Sequence, residues 1–216
     1  MAHTEITPPA SAPARSALDD HGALRGALGL AVVTLAGFGF LYSLAGVGVG
    51  QALFPATANG SVIQHDGRVV GSALVAQPFA NERYFQPRPS AADFNPMALG
   101  GSNQARTNPE MRQRLAETRA AVAQREKVDP STVPNELVTS SGSGIDPHIT
   151  PEGAAVQVGR VARSRGLLPS DVERLVAEHT EPRQTGVLGQ ARVNVLLLNL
   201  ALDAASESQP SGTPDR

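Results

Sequence analysis

The chain has 216 residues, a formal net charge of −2 and 41% hydrophobic residues, of which few are aromatic. That balance gives no basic field for drawing nucleic acid. The absence of cysteine excludes a disulfide framework, a thiolate zinc site and a Cys nucleophile. Twenty-one Gly and 17 Pro foretell many loops and tight turns.

Residues 1–23 read as a disordered lead, since Thr7-Pro8-Pro9-Ala10-Ser11-Ala12-Pro13-Ala14 offers too little apolar surface to offset ordering. After Arg25 the chain carries no charge until beyond Gly50. About 20 apolar residues cross a hydrocarbon core, so a transmembrane helix is expected over 24–50. A cleaved signal peptide is the competing reading, with Ala56-Thr57-Ala58 as an imitation of its cleavage site, but its apolar stretch would be only about 7–15 residues. Arg15 and Arg25 precede the segment and Arg68 follows it, which places the N-terminus in the cytoplasm and the remainder outside. Gly22-x-x-x-Gly26 and Gly46-x-x-x-Gly50 fit the spacing that lets helices approach closely in lipid. Gly is also simply frequent in membrane helices.

A soluble domain is expected over 51–205. Val62-Ile63 and Val69-Val70 flank Asp66-Gly67, a hairpin signal, and residues 72–76 read as an extension of the second strand up to Pro78. Residues 86–103, interrupted by Pro and by Gly100-Gly101, form an irregular stretch of the length used for interaction surfaces. Asn108-Pro109-Glu110 opens a helix with Met111, Leu115 and Val122 on one face, ending by Lys127. Leu137-Val138-Thr139 is a candidate strand. Thr150-Pro151-Glu152 opens a second helix with the stripe Ala154, Ala155, Val158, Val161 and Ala162, closed by Gly166. Ser170-Asp171-Val172-Glu173 reads as a capping box for a third helix ending near His179. A fourth, apolar helix over about 194–205 fills the core, and 206–216 is a loose tail. The fold class is therefore α+β, a small antiparallel sheet with about four helices, strands early and helices late, anchored by one N-terminal transmembrane helix.

The densest polar feature is Ser140-Ser141-Gly142-Ser143-Gly144-Ile145-Asp146-Pro147-His148. Its successive N–H groups can form an anion nest ahead of the Thr150 helix, which makes Ser143, Gly144, Asp146 and His148 candidate ligand residues. The preferred account is a polar turn whose Ser and Asp side chains bond their own backbone. Ser143, Asp146 and His148 are also triad residue types, yet residues so close on one loop rarely converge, and Gly-x-Ser-x-Gly is absent. His65, His148 and His179 lack metal-ligand spacing, so no metal is expected. Arg160, Arg163 and Arg165 read as an ordinary charged face. Neither a P-loop nor the Asp-Lys-Thr-Gly-Thr phosphorylation motif occurs.

Several segments together resemble the C subunit (KdpC) family of potassium-transporting ATPases. They are Arg88-Pro89-Ser90, Gly100-Gly101-Ser102-Asn103 with Asn108-Pro109, and the run from Leu137 to Ile149. Gln157-x-x-Arg160-Val161-Ala162 with Arg165-Gly166, and Arg192-Val193-Asn194-Val195-Leu196 with Leu198-Asn199-Leu200-Ala201-Leu202, complete the set. The ordered match covers about residues 25–203. The chain departs from the family's usual Leu-Gly-Pro at Gln104-Ala105-Arg106, from Gly at Pro182 and from Pro at Ala191. The resemblance implies a non-catalytic subunit of a four-part pump. Its partners would be a potassium-channel-like subunit, a P-type ATPase subunit, a very small stabilising subunit and the lipid of the inner membrane. It also implies a role described as that of a catalytic chaperone, which raises the ATPase subunit's affinity for ATP. No cofactor is expected to bind firmly to this chain, with ATP entering through the ATPase subunit. Direct ATP binding by residues 140–148 is the rival within the family, and a membrane-anchored hydrolase is the rival from another class.

Overall fold

A computed structural model describes residues 22–207. The expected disordered lead, up to residue 21, and the tail beyond Glu207 lie outside the described residues. The chain divides into two compact units, Met1–Ala58 and Asn59–Arg216.

In the first unit, α1 (Ala23–Thr34), a π-helical stretch (Leu35–Leu41) and α2 (Tyr42–Leu53) run on as one apolar helix of 31 residues. That length exceeds what a hydrocarbon core requires. None of its side chains is buried within the unit, as befits a surface suited to lipid rather than to a protein core. Gly37 and Gly39 lie in the π-helical stretch, where a missing Cβ lets the backbone widen. A single turn, α3 (Pro55–Ala58), follows.

The second unit opens with the expected hairpin, β1 (Val62–His65) against β2 (Arg68–Ser72). Asp66 and Gly67 both have positive φ, 50° and 73°, as the two-residue turn favoured by twisted strands demands. The strand does not run on to Ala76. Ser72 stops it: its hydroxyl donates to Gly60 O at 2.7 Å and accepts from Leu74 N at 3.1 Å, which turns the chain back. Ala76 N then donates to Ile145 O at 2.8 Å.

Helix α4 (Pro109–Glu126) starts and stops where its signals lie. Asn108 Oδ1 accepts from Glu110 N and Met111 N, and Lys127 closes the helix in the left-handed region. The strand expected at residues 137–139 is absent. Pro134 leads instead into a 3₁₀ turn, Asn135–Leu137, and the Asn135 carbonyl accepts from Val138 N, Thr139 N and the Thr139 hydroxyl. Leu137 and Val138 are buried nonetheless, so the apolar signal marked core and not strand.

Helix α5 (Pro151–Arg165) is capped by Thr150 and closed by Gly166 as expected. Ala155 is exposed, whereas Gln157 and Arg160 are buried beside Ala154, Val158, Val161 and Ala162. Helix α6 (Pro169–Glu178) begins earlier than the Ser170 box, because Pro169 takes the first helical position and Leu168 becomes the cap without a side-chain bond. Helix α7 (Val195–Glu207) carries Leu198 and Leu202 into the core. Among these late helices lie three short strands, β3 (His148–Ile149), β4 (Thr180–Glu181) and β5 (Arg192–Asn194), in the antiparallel order β3-β5-β4. Strands are therefore not confined to the first part of the domain. The core joins α5, α6, α7 and β5 around Ile149, Val161, Val172, Val193 and Leu198, with Phe85, just ahead of the irregular stretch, fully buried among them.

Candidate functional site

The loop 140–148 is held from two sides. Internally, Ser141 Oγ accepts from Gly144 N at 2.9 Å, Ser143 Oγ from Ile145 N at 3.2 Å, and Asp146 Oδ1 from His148 N at 3.0 Å. Externally, Ser141 N donates to Pro89 O, Gly100 N donates to Ser143 O, and the Ser90 hydroxyl donates to Gly144 O at 2.6 Å. Four of the loop's N–H groups, those of Ser141, Gly144, Ile145 and His148, are thus occupied by protein acceptors, the arrangement of a self-bonded polar turn. Gly144 has φ +78°, and a Cβ there would stand 2.6 Å from Ala92 Cβ, so the close approach requires glycine.

Asp146 and His148 do come together. Asp146 Oδ2 meets Arg88 Nη1 at 3.2 Å, and Asp146 Oδ1 lies 3.5 Å from His148 Nδ1. Burial by itself pushes the Asp146 carboxyl up. Hydrogen bonds from the His148 side chain and backbone, with the charge of Arg88, overcome that push and hold it below the ordinary carboxylate range. Arg88, Glu136, Asp146, His148, Thr150 and Arg192 line a polar cleft of about 340 Å³. Glu136 Oε1 accepts from both Thr150 N and the Thr150 hydroxyl. Ser143 is exposed and does not line this cleft, so the three triad residue types are not gathered around one space.

Arg88 reaches Asp146 from an irregular strap, residues 82–88, which leaves a turn closed by Tyr84 N donating to Asn81 O at 3.2 Å and whose backbone is gripped by side chains. Asn199 Oδ1 accepts from Phe85 N at 2.8 Å and its Nδ2 donates to Phe85 O at 3.0 Å. Gln157 does the same for Gln86, at 2.8 and 3.1 Å. Arg160 donates to the carbonyls of Tyr84 and Glu82 and to Gln157 Oε1. The guanidinium of Arg160 is paired through Nε with the fully buried carboxylate of Glu126 at 2.9 Å, and Arg125 joins the same carboxylate at 2.7 Å. Arg165 donates to Arg83 O, pairs with Asp203 at 2.8 Å and lies over the Tyr84 ring at 5.0 Å.

The ordinary charged face expected for Arg160, Arg163 and Arg165 is corrected here. Two of the three hold the strap from the interior, and only Arg163 is exposed. Sequence reasoning used Gln157, Arg160 and Asn199 as marks of the family resemblance and missed their grip on the strap, although each interrupts an apolar helix stripe. A polar residue kept on a buried face signals a backbone partner elsewhere.

In the apolar helix, a Cβ added at Gly46 would meet nothing within 4 Å, and one at Gly50 only Ala58 Cβ at 3.9 Å. Among the described residues no group of three or more His, Asp or Glu is placed to hold a metal.

A long apolar helix, the one candidate membrane span among the described residues, stands ahead of an α+β domain whose main polar loop is bonded to itself, the build of a membrane-associated protein. The model of the family described as "KdpC: K+-transporting ATPase, c chain" matches residues 24–204, and the chain belongs to that family. It is 58% identical over 192 residues to the potassium-transporting ATPase KdpC subunit of Xanthomonas oryzae pv. oryzae, covering 89% of this chain and 92% of the relative. Proteins of the same name from Shewanella putrefaciens and Sorangium cellulosum are 51% and 50% identical. The former covers 76% of this chain and 83% of the relative, the latter 84% and 97%.

Proposed function

We propose that this chain is the accessory, non-catalytic C subunit of an ATP-driven potassium uptake pump. In this reading the apolar helix anchors it in the bacterial inner membrane, N-terminus in the cytoplasm and folded domain on the outer side. It assembles with the potassium-channel-like subunit, the P-type ATPase subunit and the small stabilising subunit, and supports ATP use by the ATPase subunit. The observation that carries the reading is the family match, which runs through helix and domain alike. The loop adds support, because N–H groups already bonded to protein acceptors are poorly placed to cradle a phosphate.

The test is co-expression of the four subunits with and without this chain. Its omission should lower the yield and potassium-stimulated ATP hydrolysis of the complex, and the purified chain alone should hydrolyse no ATP. Full pump activity without it would refute the proposal. Tight ATP binding by the isolated chain, abolished by Ser143→Ala, would favour direct nucleotide contact through residues 140–148 instead.

A further inference from the structure

The buried Arg160 forms the least exposed wall of a second recess, of about 460 Å³, between the end of α4 and the outer side of α5. Glu82, Gln124, Arg125, Lys127, Arg163 and Ser164 complete its lining. Its charge is unbalanced. Arg125 and Arg160 share the single carboxylate of Glu126. Lys127 and Arg163 are exposed and have no acidic partner within ion-pair distance among the described residues. Glu82 is the one acidic residue on the wall. Four cations against the carboxylates of Glu82 and Glu126 leave two positive charges in excess inside one concavity.

Folding does not require this arrangement. Lys127 ends α4 through its backbone, and Arg163 touches the recess without bracing another element. The Gln124 amide and Ser164 hydroxyl also point to no protein acceptor among the described residues. A concave low-dielectric wall concentrates the field of such charges. Guanidinium forks and an ammonium beside neutral N–H and O–H donors match the tetrahedral oxygens of phosphate. We infer that this recess binds a phosphate-bearing anion, with Lys127 and Arg163 as its main charge contacts and Glu82 as an opposing charge that limits affinity. A free phosphate and the phosphodiester of an anionic lipid present the same group.

The experiment uses the full chain in neutral detergent. Inorganic phosphate and dihexanoyl phosphatidylglycerol are titrated separately by calorimetry, with dihexanoyl phosphatidylcholine as the zwitterionic control. At least one of the two anionic probes should bind, more weakly as salt rises. Lys127→Asn, which keeps a residue tolerant of left-handed backbone, and Arg163→Gln should each weaken binding by roughly three- to tenfold. Glu82→Gln should tighten it, a gain that no loss of fold can imitate. Binding of phosphate alone assigns the site to a free anion, and binding of phosphatidylglycerol alone to a headgroup. Binding of neither anionic probe, or unchanged affinity in both cation variants with their melting temperatures intact, would overturn the inference.

Discussion

Removing the Glu126 carboxylate leaves Arg160 charged, buried and without its counter-ion. Breaking a buried pair from one side costs about 3–5 kcal/mol. Glu126→Ala should therefore lower the denaturation midpoint far more than Glu117→Ala, an exposed change on the same helix, when both are unfolded in urea. Asp146 gives a pH signature. Its folded carboxyl titrates below the unfolded value, so its contribution is complete above the ordinary carboxylate pKa and is lost as pH falls through the lower folded one. The stability difference between the wild-type chain and Asp146→Asn should be constant at neutral pH and shrink in acid. A difference that grows on acidification would contradict the Arg88–Asp146–His148 arrangement.

At the scale of elements, the strap belongs to no sheet, and the backbone groups of Phe85 and Gln86 find their partners in the side-chain amides of Asn199 and Gln157. Asn199→Ala orphans both the N–H and the C=O of buried Phe85, at about 1–3 kcal/mol for each group. The Phe85 amide should exchange with solvent sooner in that variant, while amides in α4 keep their protection. Much of this architecture was legible in sequence, because the hairpin turn, the Asn108 and Thr150 caps and the Gly166 stop are local rules written in adjacent residues. The strands β3, β4 and β5 were not, since two or three residues carry no periodicity and exist only through pairing with distant chain. The loop candidates Asp146 and His148 were visible as residue types. Their partner Arg88 lies 58 positions away, joined by a fold that no local pattern encodes.

For the whole molecule, the division at Ala58 and Asn59 makes a separable domain the natural expectation. A chain starting at Asn59 should be soluble without detergent and melt within a few degrees of the intact protein; aggregation would mean that the apolar helix contributes to the domain's fold. In the intact protein, replacing Gly46 and Gly50 with Leu fills the bare helix face and should reduce recovery of the assembled pump without changing the domain's melting temperature. Full recovery would remove that face from the contact. The grip of Asn199 on Phe85 finally bears on how the protein is made. The two residues are 114 positions apart, and the later one lies in the last described helix. A ribosome delivers the strap long before it delivers the side chain that secures it, so Phe85 must wait, exposed, through most of the domain's synthesis. A nascent chain arrested before residue 195 should remain protease-sensitive at the strap, and protection should arrive abruptly once α7 has left the exit tunnel.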